Sequence, residues 1–369
     1  MFSTSLYSHI PFCQKKCFYC SFAVSIGQEE RMEVYLKALQ KEARHYKGRA
    51  VETIYIGGGT PSMLEEPQLE IFFRILQDHF QYRPQAEFTL EANPETIGQS
   101  KAKLLKKEGV NRISLGVQSF HDRYLKYLGR NHNSQKALHA FTLLREAGFD
   151  NINVDLMISF PQQTLEELRE DIQAVTRLDC EHVSVYSLTI EEKSRFYVKG
   201  VQLDEAVLQR DQYLLIIQLL EAAGYHQYEV SNFAKMDKES RHNINYWQGG
   251  NYIGLGMSAH SHNEGRRYWN KSRLMEYLEE MKDKDTAIDG EEFLNNSQRL
   301  SEALMFGLRM NRGVDLKKLV QRFSAELDET KCSAIEKFIE QGLLEREGHI
   351  LRATIAGRLL LDEIAARLI

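Results

Sequence analysis

The sequence predicts an α/β fold in which helices cover a sheet of parallel strands, followed by a smaller, mainly helical C-terminal domain. Three observations predict it. In the first two hundred residues, six short β-branched or aromatic runs alternate with longer stretches of helical periodicity. Each run must reach the next by a crossover, which makes the strands parallel and places helices over their faces. Beyond residue 300 the pattern changes to helix, helix, hairpin, helix. Repetition alone leaves a doubly wound sheet and a barrel both open.

The strand candidates are residues 5–10, 51–56, 86–91, 112–117, 152–158 and 182–188, each bounded by Gly, Pro, Asn or acidic residues. Helical candidates lie between them at 30–46, 65–80, 134–147 and 164–178. In the second of these, Leu69, Phe72, Phe73 and Leu76 recur at three and four residues and form one apolar face. A further helix over 204–223 ends at Gly224, a fitting C-cap. Residues 225–268 read as irregular and rich in His and aromatic side chains, and helical patterns resume near Ser272 and at 297–308. The tail reads as helices over 315–323 and 330–341, a hairpin of 343–345 with 350–352 around Gly348, and a last helix. That order is winged-helix-like. The expected division is 1–225 for the βα domain, 226–292 for an irregular connecting segment and 293–369 for the C-terminal domain.

With 43% hydrophobic and 27% charged residues, the 369-residue chain can bury a sizeable core. Its net charge of −5 argues against a broad nucleic-acid footprint. The helix over 330–341 sets Lys331 and Lys337 against Glu336 and Glu340, which favours a structural or protein-contact role over DNA binding. Five cysteines, three of them in one loop, suggest metal chemistry in a reducing compartment. The N-terminus has no basic run before an apolar one, and the most apolar stretch, 214–220, is too short to span a bilayer. A soluble, cytoplasmic protein is expected.

The three loop cysteines are Cys13, Cys17 and Cys20. Thiolates are soft ligands for iron and zinc. Structural zinc takes four ligands, commonly in two separated pairs; three thiolates on a [4Fe–4S] cubane would leave one iron open to a chelator. A zinc knuckle and three unrelated buried cysteines are the plainer alternatives. Cys180 and Cys332 have no partner nearby in sequence. Directly after the second strand comes Gly57-Gly58-Gly59-Thr60-Pro61. Its glycines permit positive φ and close backbone approach, but it is neither a P-loop nor a GxGxxG turn, and a tight βα turn is the plain reading. Polar residues recur at the C-terminal ends of later strands: Glu91, Gln118 and Asp155. In a parallel barrel, ligand chemistry gathers at that end. Carboxylates suit ribose hydroxyls, and Gln118 or Arg130 could meet a carboxylate or carbonyl.

CxxxCxxC with an aromatic (Tyr19) before its last cysteine, followed by the glycine turn, resembles the radical S-adenosylmethionine (SAM) superfamily. The resemblance implies a partial (β/α)6 barrel, a [4Fe–4S] cluster on Cys13, Cys17 and Cys20, and SAM bound through the open iron as the source of a 5′-deoxyadenosyl radical. Further stretches extend it: His9-Ile10-Pro11-Phe12-Cys13, Glu91-Ala92-Asn93-Pro94, Gly116-Val117-Gln118-Ser119-Phe120, Asp155-Leu156-Met157-Ile158, Tyr228-Glu229-Val230-Ser231-Asn232-Phe233 and Gly256-Met257-Ser258-Ala259-His260. Together they resemble the oxygen-independent coproporphyrinogen III oxidase family and its HemW haem-chaperone branch. In that family the resemblance implies SAM contacts at Tyr7, Gly58, Gly59, Thr60, Glu91, Gln118, Arg130 and Asp155, with Tyr19 a further candidate.

Two departures separate the branches. The oxidase pattern carries another cysteine two residues after the loop, where this chain has Phe22, and an N-terminal extension, where only twelve residues precede Cys13. A positive feature joins them: His242-Asn243-Ile244-Asn245-Tyr246-Trp247 fits the HNxxYW motif that the resemblance associates with haem. A neutral imidazole ligates haem iron, and Tyr246 and Trp247 offer flat apolar surface. The plain reading is a loop histidine beside two buried aromatics. His260 and His262 are lesser candidates. The expectation is a haem chaperone that binds a [4Fe–4S] cluster, SAM and haem. It would deliver haem to recipient haemoproteins such as respiratory enzymes, some at the membrane, and a homodimer is a further expectation. The alternative is the oxidase, which converts two propionates of coproporphyrinogen III to vinyls; a radical SAM enzyme on another substrate is the third reading. Whether the SAM apparatus turns over stays open at this point.

Overall fold

The computed structural model describes residues 4–204 and 206–368. Six strands of one sheet and six helices frame its first part: β1 (Thr4–Ile10), α1 (Met32–His45), β2 (Arg49–Gly58), α2 (Glu66–His79), β3 (Phe80–Ala92), α3 (Gln99–Lys107), β4 (Arg112–Gln118), α4 (Asp122–Leu128), α5 (Ser134–Glu146), β5 (Ile152–Ile158), α6 (Leu165–Leu178) and β6 (His182–Ser187), with Phe12–Cys13 and Ser25–Ile26 pairing as a small separate sheet in the cysteine loop. Every neighbouring pair from β1 to β6 is parallel. β4 is buried along its whole length, as a strand covered on both faces must be. Helix starts are chemically marked. Thr164 and Glu167 form a capping box at α6, and Gln68 closes one at α2. The helix expected over 204–223 is α7 (Ala206–Ala222), with Glu205 outside the described residues.

The segment 226–292 is not irregular. It carries six strands, β7 (His226–Glu229), β8 (Asn232–Ala234), β9 (Asn251–Leu255), β10 (His260–Asn263), β11 (Arg266–Asn270) and β12 (Ile288–Phe293), with helices α8 (Arg241–Trp247) and α9 (Leu274–Asp283). All join the sheet of the first part, in the order β12-β11-β10-β9-β1-β2-β3-β4-β5-β6-β8-β7. β9 lies parallel to β1 and the other five pair antiparallel, so the partial barrel is extended at both edges. These strands are short, and their sequences break alternation for local reasons. A Cβ on Gly254 of β9, for example, would sit 2.1 Å from the His260 carbonyl oxygen. Buried Glu42 of α1 fastens this extension, accepting from Gly256 N (2.8 Å), Asn270 Nδ2 (2.6 Å) and the Tyr277 hydroxyl (2.7 Å).

The C-terminal domain comprises α10 (Asn296–Gly307), β13 (Val314–Asp315), α11 (Leu316–Phe323), α12 (Glu329–Glu340), β14 (Leu344–Glu347), β15 (Ile350–Ala353), α13 (Ile355–Leu359) and α14 (Leu361–Leu368). Its antiparallel sheet runs β13-β15-β14, a winged-helix-like arrangement over its own core of Leu304, Leu308, Ile335, Leu351 and Ile364. Backbone bonds dock it on the sheet edge: Val230 N donates to Arg309 O (3.1 Å) and Asn311 N to Tyr228 O (3.0 Å).

Candidate functional site

The cysteine loop leaves the C-terminal end of β1. Three backbone hydrogen bonds pin it: Ser25 N to Pro11 O (2.7 Å), Phe18 N to Leu128 O (2.9 Å) and Phe196 N to Phe18 O (2.9 Å). Cys13 Sγ lies 3.4 Å from Thr60 Oγ1, and Arg130 Nη1 points at Cys17 Sγ across 3.7 Å. Cys13, Cys17 and Cys20 line one cavity of about 410 Å³ with Tyr19, Gly58, Gly59, Thr60, Glu91, Gln118, Arg130 and Asp155. Burial pushes the Cys13 thiol up to about 11 and raises Cys20 as well, so loss of these protons is coupled to metal capture. Among the described residues, no three His, Cys, Asp or Glu side chains close on a single-ion position. A cubane does not require that, because each thiolate reaches a different corner iron. Cys180 lies elsewhere, buried with its Sγ 3.4 Å from His182 O, and Cys332 is exposed on α12.

The glycine turn is shaped by the loop beneath it. Gly58 has φ +116°, and a Cβ there would meet the His9 ring at 2.6 Å; one on Gly59 would meet Phe12 O at 2.7 Å. Both glycines are therefore required by packing against the cysteine loop, whatever ligand lies above. Glu91 bridges the turn to β2, accepting from Gly58 N (3.2 Å) and from the Tyr55 hydroxyl (2.7 Å). Burial pushes its carboxyl up to about 7, the Tyr55 bond working the other way. A cationic ligand group would favour its ionised form. Asp155, also raised by burial, accepts from Asn153 Nδ2 (2.7 Å) and Ser114 Oγ (3.1 Å). Arg130 Nη2 donates to Asn93 Oδ1 and Gly116 O, both at 2.7 Å, and its buried Nε has no partner. That guanidinium braces the loop against β4 and keeps one donor spare.

Tyr7 is the expected SAM residue that the structure sets apart. It does not line the cavity; its hydroxyl donates to His9 Nδ1 (3.0 Å), and its ring stacks on Tyr55 with centroids 6.2 Å apart. It supports the wall from behind. Tyr55, Asn93, Ser114 and Tyr186 line the cavity without having been singled out. Asn93 directly follows β3, Tyr186 lies near the end of β6 and Tyr55 stands two residues before the glycine turn, whereas Ser114 lies inside β4 and carried no such signal.

The HNxxYW stretch forms α8. Ser240 caps it by accepting from Asn243 N (3.3 Å), and buried Glu87 accepts from Arg241 N (2.8 Å) and His242 N (2.9 Å). His242 does not match the expected open ligand. It is 1% exposed, its Nδ1 donates to Thr53 Oγ1 (2.8 Å), and its Nε2 accepts from the Tyr246 hydroxyl (3.1 Å). Thr53 spends its own proton on Ser5 Oγ (2.7 Å), which fixes that tautomer. Burial pushes the imidazole down to about 3, so it stays neutral as a structural brace. Tyr246 and Trp247 do face open space, a second cavity of about 260 Å³ between α8, β9–β11 and the C-terminal domain. Among the described residues, none lines both this cavity and the cysteine cavity. A third, of about 880 Å³, shares Tyr186, Ser187 and Thr189 with the cysteine cavity.

Residues 7–175 match the family model described as the radical SAM superfamily, and residues 294–360 match the HemN C-terminal domain. The chain is 36% identical over 372 residues to the heme chaperone HemW of Bacillus subtilis (strain 168), covering 98% of this chain and 97% of that one. It is 38% identical over 318 residues to the heme chaperone HemW of Escherichia coli (strain K12), covering 81% and 83%. The solved structure of E. coli coproporphyrinogen III oxidase (HemN), a radical SAM enzyme, matches with a TM-score of 0.88 over 100% of this chain and 90% of that one. Its 24% identity supports the shared fold alone. By its likeness to these relatives over nearly its whole length, the chain belongs to the HemW family of the radical SAM superfamily.

Proposed function

We propose that this protein is a haem chaperone, which holds haem beside Tyr246 and Trp247 and passes it to recipient haemoproteins. Its relatives of matching length carry the name heme chaperone. The observation that carries the reading is the separation of the cavities: among the described residues, the one bounded by Tyr246 and Trp247 shares no lining residue with the one bounded by the cysteines. A macrocycle held there is kept away from radical chemistry. Cys13, Cys17 and Cys20 would hold a [4Fe–4S] cluster, and Glu91, Gln118, Asp155 and the glycine turn would hold SAM. When bound, these groups supply one-electron reduction and an adenosyl radical source. In that site Arg130 positions the Cys17 loop, and Glu91 and Asp155 offer acceptors to ammonium and hydroxyl groups. Phe22, 66% exposed, stands where the oxidase branch has its further thiol. No helix among the described residues is long and apolar enough to cross a membrane. A cytoplasmic carrier serving recipients at the membrane face fits that.

The oxidase remains the second reading because the third cavity, of about 880 Å³, adjoins the cysteine cavity and could admit a porphyrinogen. Haem titration into anaerobically reconstituted protein, followed by mixing with an apo-haemoprotein, tests the chaperone. Saturable one-to-one uptake and transfer are expected. Absence of saturable uptake would overturn the proposal.

A further inference from the structure

Among the described side chains of the second cavity, His262 supplies the one imidazole, the tyrosines Tyr246 and Tyr252 being phenols held above their usual pKa by burial. His262 lies on β10 against that cavity, half-buried, with its Nδ1 donating to the Gly250 carbonyl oxygen across 3.2 Å. A carbonyl only accepts, so Nδ1 carries the proton and the Nε2 lone pair is the free one. Metal-binding imidazoles are oriented in this way, by donating their other ring N–H to a backbone carbonyl. Burial holds the ring's pKa below the usual histidine value, with Arg299 adding to that, so the neutral form prevails near pH 7. Tyr252 tilts over the same ring at 5.9 Å between centroids. In His242, by contrast, both nitrogens are spent on Thr53 and Tyr246.

The rest of the cavity matches the remainder of a haem. Tyr246, Trp247, Phe306 and Phe323 supply apolar and aromatic walls, and Arg267 and Arg299 bring cations to it. Arg267 pairs with Glu302 (3.1 Å) and Arg299 with Glu264 (3.3 Å), while Arg299 Nε and Trp247 Nε1 are buried donors without an acceptor among the described residues. Arg267 and Arg299, which line the cavity, would offer guanidinium donors to a ligand carboxylate. At about 260 Å³ the cavity is smaller than the usual enclosed ligand pocket. It would take the iron-bearing centre and leave an edge outside, which suits a carrier that must release its cargo.

We infer that His262, through Nε2, is the axial haem ligand of this protein, and that the HNxxYW helix supplies the wall of the site through Tyr246 and Trp247 while His242 braces Tyr246. The inference rests on the haem-binding reading above. The test is a titration of ferric haem into the full-length, cluster-loaded protein, read by the Soret band and by electron paramagnetic resonance, in which the oxidised, diamagnetic cluster is silent. The wild type shows a histidine-ligated spectrum. His262→Ala loses that signature, and added imidazole restores it. His262→Met, of similar bulk, replaces nitrogen with thioether and raises the haem midpoint potential. His242→Gln keeps the histidine-ligated spectrum. Wild-type spectra in both His262 variants, or loss of the signature in His242→Gln alone, would overturn the assignment while leaving haem binding intact. No haem uptake by the wild type would instead remove the chaperone reading, and the assignment with it.

Discussion

A thiol held at a pKa of about 11, as burial holds Cys13, is a poor free nucleophile and a ligand only when a metal takes its proton. Cys13→Ala, Cys17→Ala or Cys20→Ala should each abolish a cluster of close to four irons after anaerobic reconstitution. Cys180→Ala and Cys332→Ala should keep it, because those thiols lie elsewhere, one buried near His182 and one exposed. Stoichiometric zinc with no iron uptake would contradict this. Glu91 gives a prediction in pH. Its folded pKa of about 7 lies above the unfolded value near 4.5, so its contribution to stability is full below pH 4.5 and is lost as pH rises to about 7. Glu91→Gln should flatten that part of the stability–pH curve; Glu42 and Asp155, also raised by burial, keep the rest of the slope. The same variant should weaken SAM binding by about 1.5–3 kcal/mol if a charge-assisted bond is lost. Unchanged affinity and an unchanged pH profile would mean the cationic end of SAM lies elsewhere. The cysteine loop was legible in the sequence because three thiols at that spacing are rare, whereas Glu91 stood out only by its place at a strand end and by the resemblance. The reason for Gly58 was not legible, because the His9 ring that excludes a side chain is distant in sequence. Gly58→Val therefore tests folding before it tests SAM.

Long, strongly periodic elements were legible, as was the short hairpin turned at Gly348, but the short strands of 226–292 were not. The strand expected at 152–158 is β5 to the residue, and the helix expected at 164–178 is α6 with its Thr164 cap. Strands β7 to β12 escaped detection because they run only three to six residues and, β12 apart, show no regular alternation of inner and outer positions. The helix α8 shows the same dependence. Seven residues cannot hold a helix alone, and its first turn borrows acceptors from Ser240 and from Glu87 on β3. Glu87→Ala leaves the N–H groups of Arg241 and His242 without that carboxylate. It should lower stability in denaturant titration by about 1–3 kcal/mol and loosen Tyr246. A variant as stable as wild type would show that the carboxylate does not hold the helix.

Across the whole molecule, one twelve-stranded sheet unites the βα units with a segment that the sequence alone divided from them. Residues distant along the chain make that union: Glu42 of α1 holds Gly256, Asn270 and Tyr277, and no periodicity could announce it. The C-terminal domain closes the second cavity with Ala303, Phe306 and Phe323. The molecule thus keeps a cysteine-lined centre at the strand ends and an aromatic cleft beside β9 and β10, with no lining residue in common among the described residues and His242 packed between Tyr55 of the one and Tyr246 of the other. On the proposed reading, haem held in the aromatic cleft stays apart from the cysteine site, and the absence of conversion is what remains to be tested. The most direct measurement supplies reconstituted protein with SAM, a reductant and coproporphyrinogen III, and follows the porphyrinogens by chromatography while a parallel portion of the same sample is titrated with haem. The account predicts saturable haem binding and no protoporphyrinogen; sustained formation of protoporphyrinogen would contradict it.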